Sequence, residues 1–332
     1  MGEPYPKATF ALTIAGREVS GRFRPRLSSA TLTESRGEEA DQLDLVLSDE
    51  SGDLALPKKG VEITFALGWI RSARGLVDKG RFTVDEVEHS GAPDTLTIRA
   101  RSADFTDDLR IRKDRSWRDA TVRSVLQDVA GAHGLQLRVA PEFAGQSLPV
   151  LDQSRESDAA LLSRLGRRFG AAATVKAGRL LFLPIGAGRT AAGDELPAFA
   201  LTRADGDRHS FKAVQRDAYS GAEASWHDSG TGKRHLARAG TEGHRKRLRR
   251  VYGSEADAQR AAAAEHARMG REKATLSLTL ALGRPDLYPE ARGTVRGIRS
   301  EIADITWLVA RATHALDGNG GLQTTLDLES AP

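Results

Sequence analysis

The residue groups best suited to chemistry are a glycine-rich segment ending in lysine, scattered histidines, two acid pairs and one dense cationic run. His227–Lys233, HDSGTGK, has the outline of a phosphate loop, in which backbone N–H groups cradle phosphate while a lysine and a hydroxyl hold oxygens and magnesium. That pattern requires glycine at 227 and Ser or Thr at 234, but His227 and Arg234 stand there. The segment reads as a turn. So does GAGRTAAG, which lacks the third glycine of a dinucleotide fingerprint and follows no βα unit.

The eight histidines include no HExxH pair and no cluster at metal-ligand spacing. His227, His235 and His244 share one glycine-rich region, which reads as a solvated loop unless folding brings them together. Glycan hydrolysis needs two carboxyls roughly 5 to 9 Å apart in a cleft. The adjacent acids Glu38 with Glu39, and Asp107 with Asp108, read instead as solvated polar residues. No catalytic, cofactor-binding or metal-binding residue is assigned, and the chain is not expected to be an enzyme.

The cationic run His244–Arg250 contains Arg245, Lys246, Arg247, Arg249 and Arg250, which are able to neutralise phosphates or an acidic partner. No interleaved aromatics offer base stacking, and no recognition-helix pattern surrounds the run. Three readings stay open: a loop or strand edge protected by charge, an assembly contact with an acidic partner, and nucleic-acid binding.

These groups sit in a chain of 332 residues, enough for two or three domains at about 150 residues each. Hydrophobic residues at 39% and charged residues at 28% describe an ordinary globular composition. The net charge of +4 lacks the large basic excess of a protein that wraps DNA. There is no cysteine, which excludes disulfides, thiolate metal sites and cysteine nucleophiles. No apolar run approaches the ~20 residues of a membrane helix, and the N-terminus lacks the order of a secretory signal. Gly2 follows Met1, but Pro6 stands where a myristoylation motif has Ser or Thr. The expectation is a chain made and folded in the cytoplasm, without membrane insertion.

Residues 8–105 alternate with period two: Phe10, Leu12, Ile14; Leu43, Leu45, Leu47; Val61, Ile63, Phe65, Leu67; Leu96, Ile98, Ala100. Such alternation predicts strands with one buried face, and Gly16, Gly52, Gly60, Gly80 and Gly91 are expected in the turns between them. After Asp108 the period changes. Val122, Val125, Leu126 and Val129 predict a helix with Asp119 as N-cap and Gly134 as stop. A second helix over Ser157–Phe169 buries Leu161, Leu162, Leu165 and Phe169, and a hairpin of AATVK and RLLFLP follows. Ser254 opens an Ala-rich helix at about 255–270, and strands return at Leu276–Leu280, Ile305–Val309 and Leu322–Leu328.

One repeat links the two ends. Phe82, Val84 and His89 fall on Trp307, Val309 and His314 at a constant offset, and Thr95–Ile98 falls on Thr325–Leu328 after a longer turn. Each copy is led in by Pro then Gly, Pro57 to Gly60 and Pro289 to Gly293. His89 and His314 are expected to end a strand or face a subunit boundary. The alternatives are two generic hairpins or a duplicated barrel unit. With duplication, three subunits would imitate a six-membered ring.

The ordered series TLTES, LDLVLSDESGDLALPKKGVEITFALG, GRFTVDEVEHSGAPDTLTIRARSADF, AGAHGL, ESDAALLSRLGRRFGAAATVKAGRLLFLPIG and YPEARGTVRG with WLVARATHALDGNGGLQTTLDLE resembles the late control D family. These are baseplate hub proteins of contractile phage tails, related to the hub portion of type VI secretion spike proteins. The alternation, the helical stretch and the repeat together give the expectation of a mainly β protein with two similar β-barrel domains, 1–108 and 187–332, flanking a small α/β domain at 109–186. The resemblance implies a homotrimer forming a pseudo-sixfold ring, with the central spike protein, the tail tube protein and other baseplate proteins as partners. It also implies a place in a virion tail or tail-like particle assembled in the bacterial host cytoplasm, and no cofactor. Because the sequence stops at Pro332 without a spike domain, it resembles the separate phage hub more than the fused secretion spike. A basic nucleic-acid-binding regulator is the main alternative, though nucleic acid is not expected, and a peptidoglycan-degrading tail-tip enzyme is the third.

Overall fold

Where apolar residues alternate between turn residues, strands form almost without interruption. The computed structural model describes the chain except residues 1–6, 38–39, 71–74, 103–106, 177, 190–193, 214–218, 319–320 and 332. The first stretch gives β1 (Lys7–Ile14), β2 (Arg17–Glu18), the one-turn helix α1 (Ser20–Phe23), β3 (Leu27–Ser35) and β4 (Gln42–Ser48). It continues as β5 (Glu62–Ile70), β6 (Leu76–Ser90) and β7 (Thr95–Ser102). The alternating residues of β4, β5 and β7 are buried as expected, each contributing roughly 1.5–3 kcal/mol of transfer free energy. Gly80 departs from expectation. It lies inside β6 at φ +90°, where Asp78 pairs with Ala66 and Arg81 with Thr64. Two residues of β6, Lys79 and Gly80, thus oppose Phe65 alone, a bulge that re-aims a side chain. Lys79 is thereby buried.

The next stretch is β8 (Arg112–Thr121), α2 (Val122–Ala132), β9 (Gln136–Val139), α3 (Pro141–Ala144) and β10 (Ser147–Ser157). Then come α4 (Asp158–Phe169), β11 (Ala171–Lys176) and β12 (Arg179–Pro184). The cap of α2 is Thr121, not Asp119: Thr121 Oγ1 accepts from Ser124 N–H at 3.2 Å, while Asp119 is still in β8. Ser157 caps α4, and Gly170 ends it at φ +67°, a left-handed position that favours glycine.

A single turn of 3₁₀ helix, Arg203–Asp205, separates β13 (Phe199–Thr202) from β14 (Gly206–Ala213). After these come β15 (Gly221–His227), β16 (Arg234–Gly240), β17 (Arg245–Tyr252) and α5 (Glu255–Arg271). The chain finishes with β18 (Ala274–Leu280), β19 (Arg292–Arg296), α6 (Ser300–Ala303), β20 (Trp307–Asp317) and β21 (Leu322–Ser330). Ile305 precedes β20 and is not part of it.

The chain divides into two units: Met1–Phe105 with Pro197–Ser210 and Leu276–Leu328, and Thr106–Leu196 with Phe211–Thr275 and Glu329–Pro332. Residues 211–275 therefore cluster with the α/β stretch, although they were expected with the second barrel. The reason is local. β15, β16 and β17 form their own sheet, packed through Ala222, Ala224 and Ala237 against Ala258, Ala261 and Ala262 of α5. Small residues on both sides let helix and sheet approach closely.

The first unit is built on a 13-stranded sheet of order β14-β18-β21-β20-β3-β4-β7-β6-β5-β1-β2, with β19 on β20 and β13 on β19. Two copies of one strand order lie in this path. β3-β4-β7-β6 with branch β5-β1 matches β14-β18-β21-β20 with branch β19-β13. One difference is direction, since β1 runs antiparallel to β5 whereas β13 runs parallel to β19. Among the described residues the order is an open path and does not close on itself.

Candidate assembly site

The repeat is exact enough to be read in hydrogen bonds. Phe82 and Val84 of β6, and Trp307 and Val309 of β20, are all buried. Phe82 lies opposite Ile63, and Trp307 opposite Gly293. Val84 N–H donates to Val61 O at 2.9 Å, and the Val84 carbonyl accepts from Gly60 N–H at 2.8 Å. Val309 N–H donates to Ala291 O at 3.0 Å and its carbonyl accepts from Glu290 N–H at 2.9 Å. The counterpart of Gly60 is therefore Glu290, not Gly293 as the Pro-then-Gly match suggested. Both sit at positive φ, +81° and +75°, a conformation that normally favours glycine. Glu290 is also ion-paired with Arg36 at 2.9 Å.

Past this point the second halves of β6 and β20 differ in what they meet. β20 pairs with β3 over seven positions, from Arg311 opposite Ser35 to Asp317 opposite Ser29. This junction joins the two copies of the strand order. At its centre His314 is fully buried, and Lys79, turned inward by the bulge, brings its Nζ to 2.6 Å from Glu34 Oε2. His314 Nε2 lies 3.1 Å from the same oxygen, and Nδ1 lies 2.8 Å from Thr324 Oγ1. Thr324 Oγ1 also accepts from Arg284 N–H at 2.8 Å. One assignment satisfies every group: Thr324 O–H donates to Nδ1, and Nε2–H donates to the Glu34 carboxylate. Lys79 further sits 4.0 Å from the centroid of the Tyr288 ring.

Burial pushes the His314 pKa down, and against the pull of Glu34 the Lys79 charge lowers it further, so the ring is held below its usual value. The ion pair is Lys79–Glu34, and the imidazole is its neutral hydrogen-bonding brace. His89, the repeat partner of His314, is the penultimate residue of β6 and 40% exposed, with Nε2 at 3.4 Å from Asp49.

The cationic run occupies β17, an edge strand of the β16-β15-β17 sheet. Arg247 pairs with Glu223 at 2.7 Å and Lys246 with Glu265 at 2.6 Å. The Arg250 guanidinium lies 5.7 Å from the Tyr252 ring centroid. Arg245 is half-buried, and Arg249 lines a shallow groove with Arg234, Leu236, Arg247 and Val251. Much of the run's charge is thus committed within its own sheet and helix.

HDSGTGK is the β15–β16 turn, with Asp228 accepting from Thr231 Oγ1–H at 2.6 Å and Gly230 N–H at 2.9 Å. The three nearby histidines do not share a site. His235 stacks on Trp226 and His244 on Tyr219, with centroids 4.8 and 4.9 Å apart, and His227 is exposed at the end of β15. Among the described residues, no three His, Asp or Glu side chains are placed to hold a metal. Glu38 and Glu39 lie outside the described residues, and Asp107 and Asp108 open a 3₁₀ turn.

Sequence reasoning missed a second buried cluster. Asp158, the first residue of α4, is buried and meets Lys113 Nζ at 2.6 Å, His133 Nε2 at 2.8 Å, Gln153 Nε2 at 2.9 Å and the Arg115 guanidinium. Burial pushes its pKa up, but the hydrogen bonds and the Arg115 charge outweigh that and hold it below the usual carboxylate value. The only sequence signal was an acid at a helix N-terminus, which is commonplace.

A sequence model of the family described as phage tail baseplate hub (GPD) matches residues 38–320. A probable baseplate hub protein of Escherichia phage 186 is 41% identical, the match covering 96% of this chain and 92% of that protein. Among solved structures, a 43 kDa tail protein of prophage MuSo2 from Shewanella oneidensis aligns with a TM-score of 0.71 at 16% identity, over 97% of this chain and 98% of the other. A component of the Escherichia coli type VI secretion system aligns at 0.57 with 14% identity, over 97% of this chain and 77% of the other.

Proposed function

The chain belongs to the phage tail baseplate hub family, and on that premise we propose that three copies close into a pseudo-sixfold ring between tail tube and central spike. As a baseplate hub it is a structural component of a virion tail, and no helix among the described residues is long and apolar enough to cross a membrane. In this reading the trimer acts by shape, without catalysis, with the tail tube and the central spike as its neighbours.

One observation carries the reading. The first unit contains the same four-strand order twice, joined edge to edge by β20 on β3. A chain that supplies two equivalent arcs needs only three copies for six positions. The barrel walls expected from residues 1–108 and 187–332 then become arcs of one shared wall. Spike and tube, as six- or threefold neighbours, would dock on the faces of that ring.

Light scattering on the purified chain tests this. The expected mass is three times 35.8 kDa, about 107 kDa, with sixfold-looking rings in negative stain. A monomer that persists at high micromolar concentration, or a dimer, would overturn it.

A further inference from the structure

Resting on that ring, we propose that its seam is a strand pairing between copies, in which the outer edge of β6 at 86–90 takes β14 of the next chain. The internal junction supplies the template. β20 is paired with β21 and β19, and its second half, beyond the start of β19, is covered by β3. β6 is built the same way. It pairs with β7 through Ser90, but its pairing with β5 ends at Glu62 opposite Thr83. Beyond Val84, the edge of β6 facing away from β7 has no strand on it among the described residues. The strand that should cover it is the counterpart of β3, and that is β14, which closes the other end of the sheet order.

The register follows from the same correspondence. β3 begins directly after a 3₁₀ turn, Arg24–Arg26, and β14 directly after another, Arg203–Asp205. Aligning the two starts places Ala30 and Leu32, buried on β3, over His209 and Phe211, the half-buried residues of β14. On β6, His89 stands for His314 and Val87 for Ala312. The observed pairs His314–Leu32, Thr313–Thr33 and Ala315–Thr31 then become His89–Phe211, Glu88–Lys212 and Ser90–Ser210 across two chains.

The chemistry of these pairs fits. Glu88 meets Lys212 directly, an opposite-charge cross-strand pair. His89, 40% exposed in the single chain, and the half-buried Phe211 cover one another on the core-facing side. An open edge of this kind is a ready template for another strand. A second copy of this chain carries the strand whose internal twin already occupies the equivalent place, so the occupant is specified and not merely permitted.

The absence of cysteine makes the test direct. Ser90→Cys and Ser210→Cys are introduced together into the full chain, and association is measured by light scattering before mild oxidation. Paired antiparallel residues stand about 4.5–5.5 Å apart, within the reach of a disulfide. The expected result is a trimer that oxidises to covalent dimers and trimers, while each single variant and the misregistered pair Ser90→Cys with Phe211→Cys do so at least tenfold more slowly. Charge reversal gives a measure independent of how the cysteine variants fold. Glu88→Lys or Lys212→Glu should weaken association about fivefold, and the two together should restore it. A trimer that neither cross-links nor responds to reversal overturns the seam and leaves the ring. A persistent monomer overturns the ring and the seam with it.

Discussion

Replacing Lys79 by methionine isolates what the buried ion pair beside the junction of the two strand-order copies contributes. The Lys79 side chain is fully buried and Glu34 is 5% exposed, with Nζ and Oε2 2.6 Å apart. Methionine fills most of the same volume but takes away the buried cation at Glu34, whose carboxylate keeps the His314 Nε2–H at 3.1 Å. Breaking a buried pair in this way typically destabilises by about 3–5 kcal/mol, because the remaining charge is uncompensated. For a unit of this size that is roughly a 6–20 °C fall in Tm, at about 2–4 °C per kcal/mol. Urea unfolding followed by tryptophan fluorescence reports on this unit if Trp117 and Trp226 are first changed to phenylalanine, leaving Trp69 and the buried Trp307. The double change Lys79→Met with Glu34→Leu should recover most of the loss, since an apolar replacement removes both charges. A loss below about 1 kcal/mol for the single variant would refute the account of Lys79 and Glu34 as a desolvated ion pair.

The same cluster sets a pH dependence. His314 binds its proton more weakly folded than unfolded, so the unfolded state takes up more protons as pH falls below the ordinary histidine value of 6.5. Wild-type stability should therefore be fully present above that pH and decline below it, and His314→Gln should flatten the slope in pH-dependent urea titrations. In Lys79→Met the lowering influence of the lysine is gone, and the decline should shrink or reverse as an imidazolium replaces it beside Glu34. In the other unit, Asp158→Asn should destabilise by about 3 kcal/mol in thermal melts by removing the anion that gathers Lys113, Arg115 and His133. Gly293→Ala should weaken the docking of β13, because a Cβ there would stand 2.1 Å from Phe199 O. The expected loss is about 1–3 kcal/mol, read as faster amide exchange at Phe199–Thr202. Gly131→Ala in α2, with nothing within 4 Å of the added carbon, should instead stabilise by about 0.5–1 kcal/mol.

The alternation of Leu43, Leu45 and Leu47, or of Ile63, Phe65 and Leu67, made the strands legible because period two is a local property of a half-buried strand. Pairing order is not local. The 45 residues between Lys79 and Glu34, and the 280 between Glu34 and His314, leave no spacing signal for the junction. The bulge that turns Lys79 inward shows in sequence only as Gly80, which looks like any turn glycine. The hairpin repeat was visible through Phe82, Val84, Trp307 and Val309, yet its lead-in was misaligned. Glu290 fills a left-handed position without being glycine, so matching Gly to Gly slid the register. Acids favour helix starts, which points to Asp119 as the cap, but β8 continues two residues further and hands the role to Thr121.

The two halves of the repeat also differ in what their edges can tolerate. β3 and β20 belong to one chain, so the buried Lys79–Glu34 pair of one strand-order copy, braced by His314 of the other, forms once, during folding, and never needs to exist half-made. An edge that waits for a separate chain must stay soluble alone, and a carboxylate buried there without its cation would destabilise the free subunit by several kcal/mol. The residues follow this logic. The counterpart of Glu34 on β14 is Ala213, and the β6 edge carries Glu86 and Glu88 at 54% and 53% exposure, with Arg208 and Lys212 exposed on β14. Charges on open edges keep strands from pairing indiscriminately, and opposite signs on the two edges favour one partner over a self-match. The junction that carries the ion cluster is thus the one that covalent linkage already guarantees.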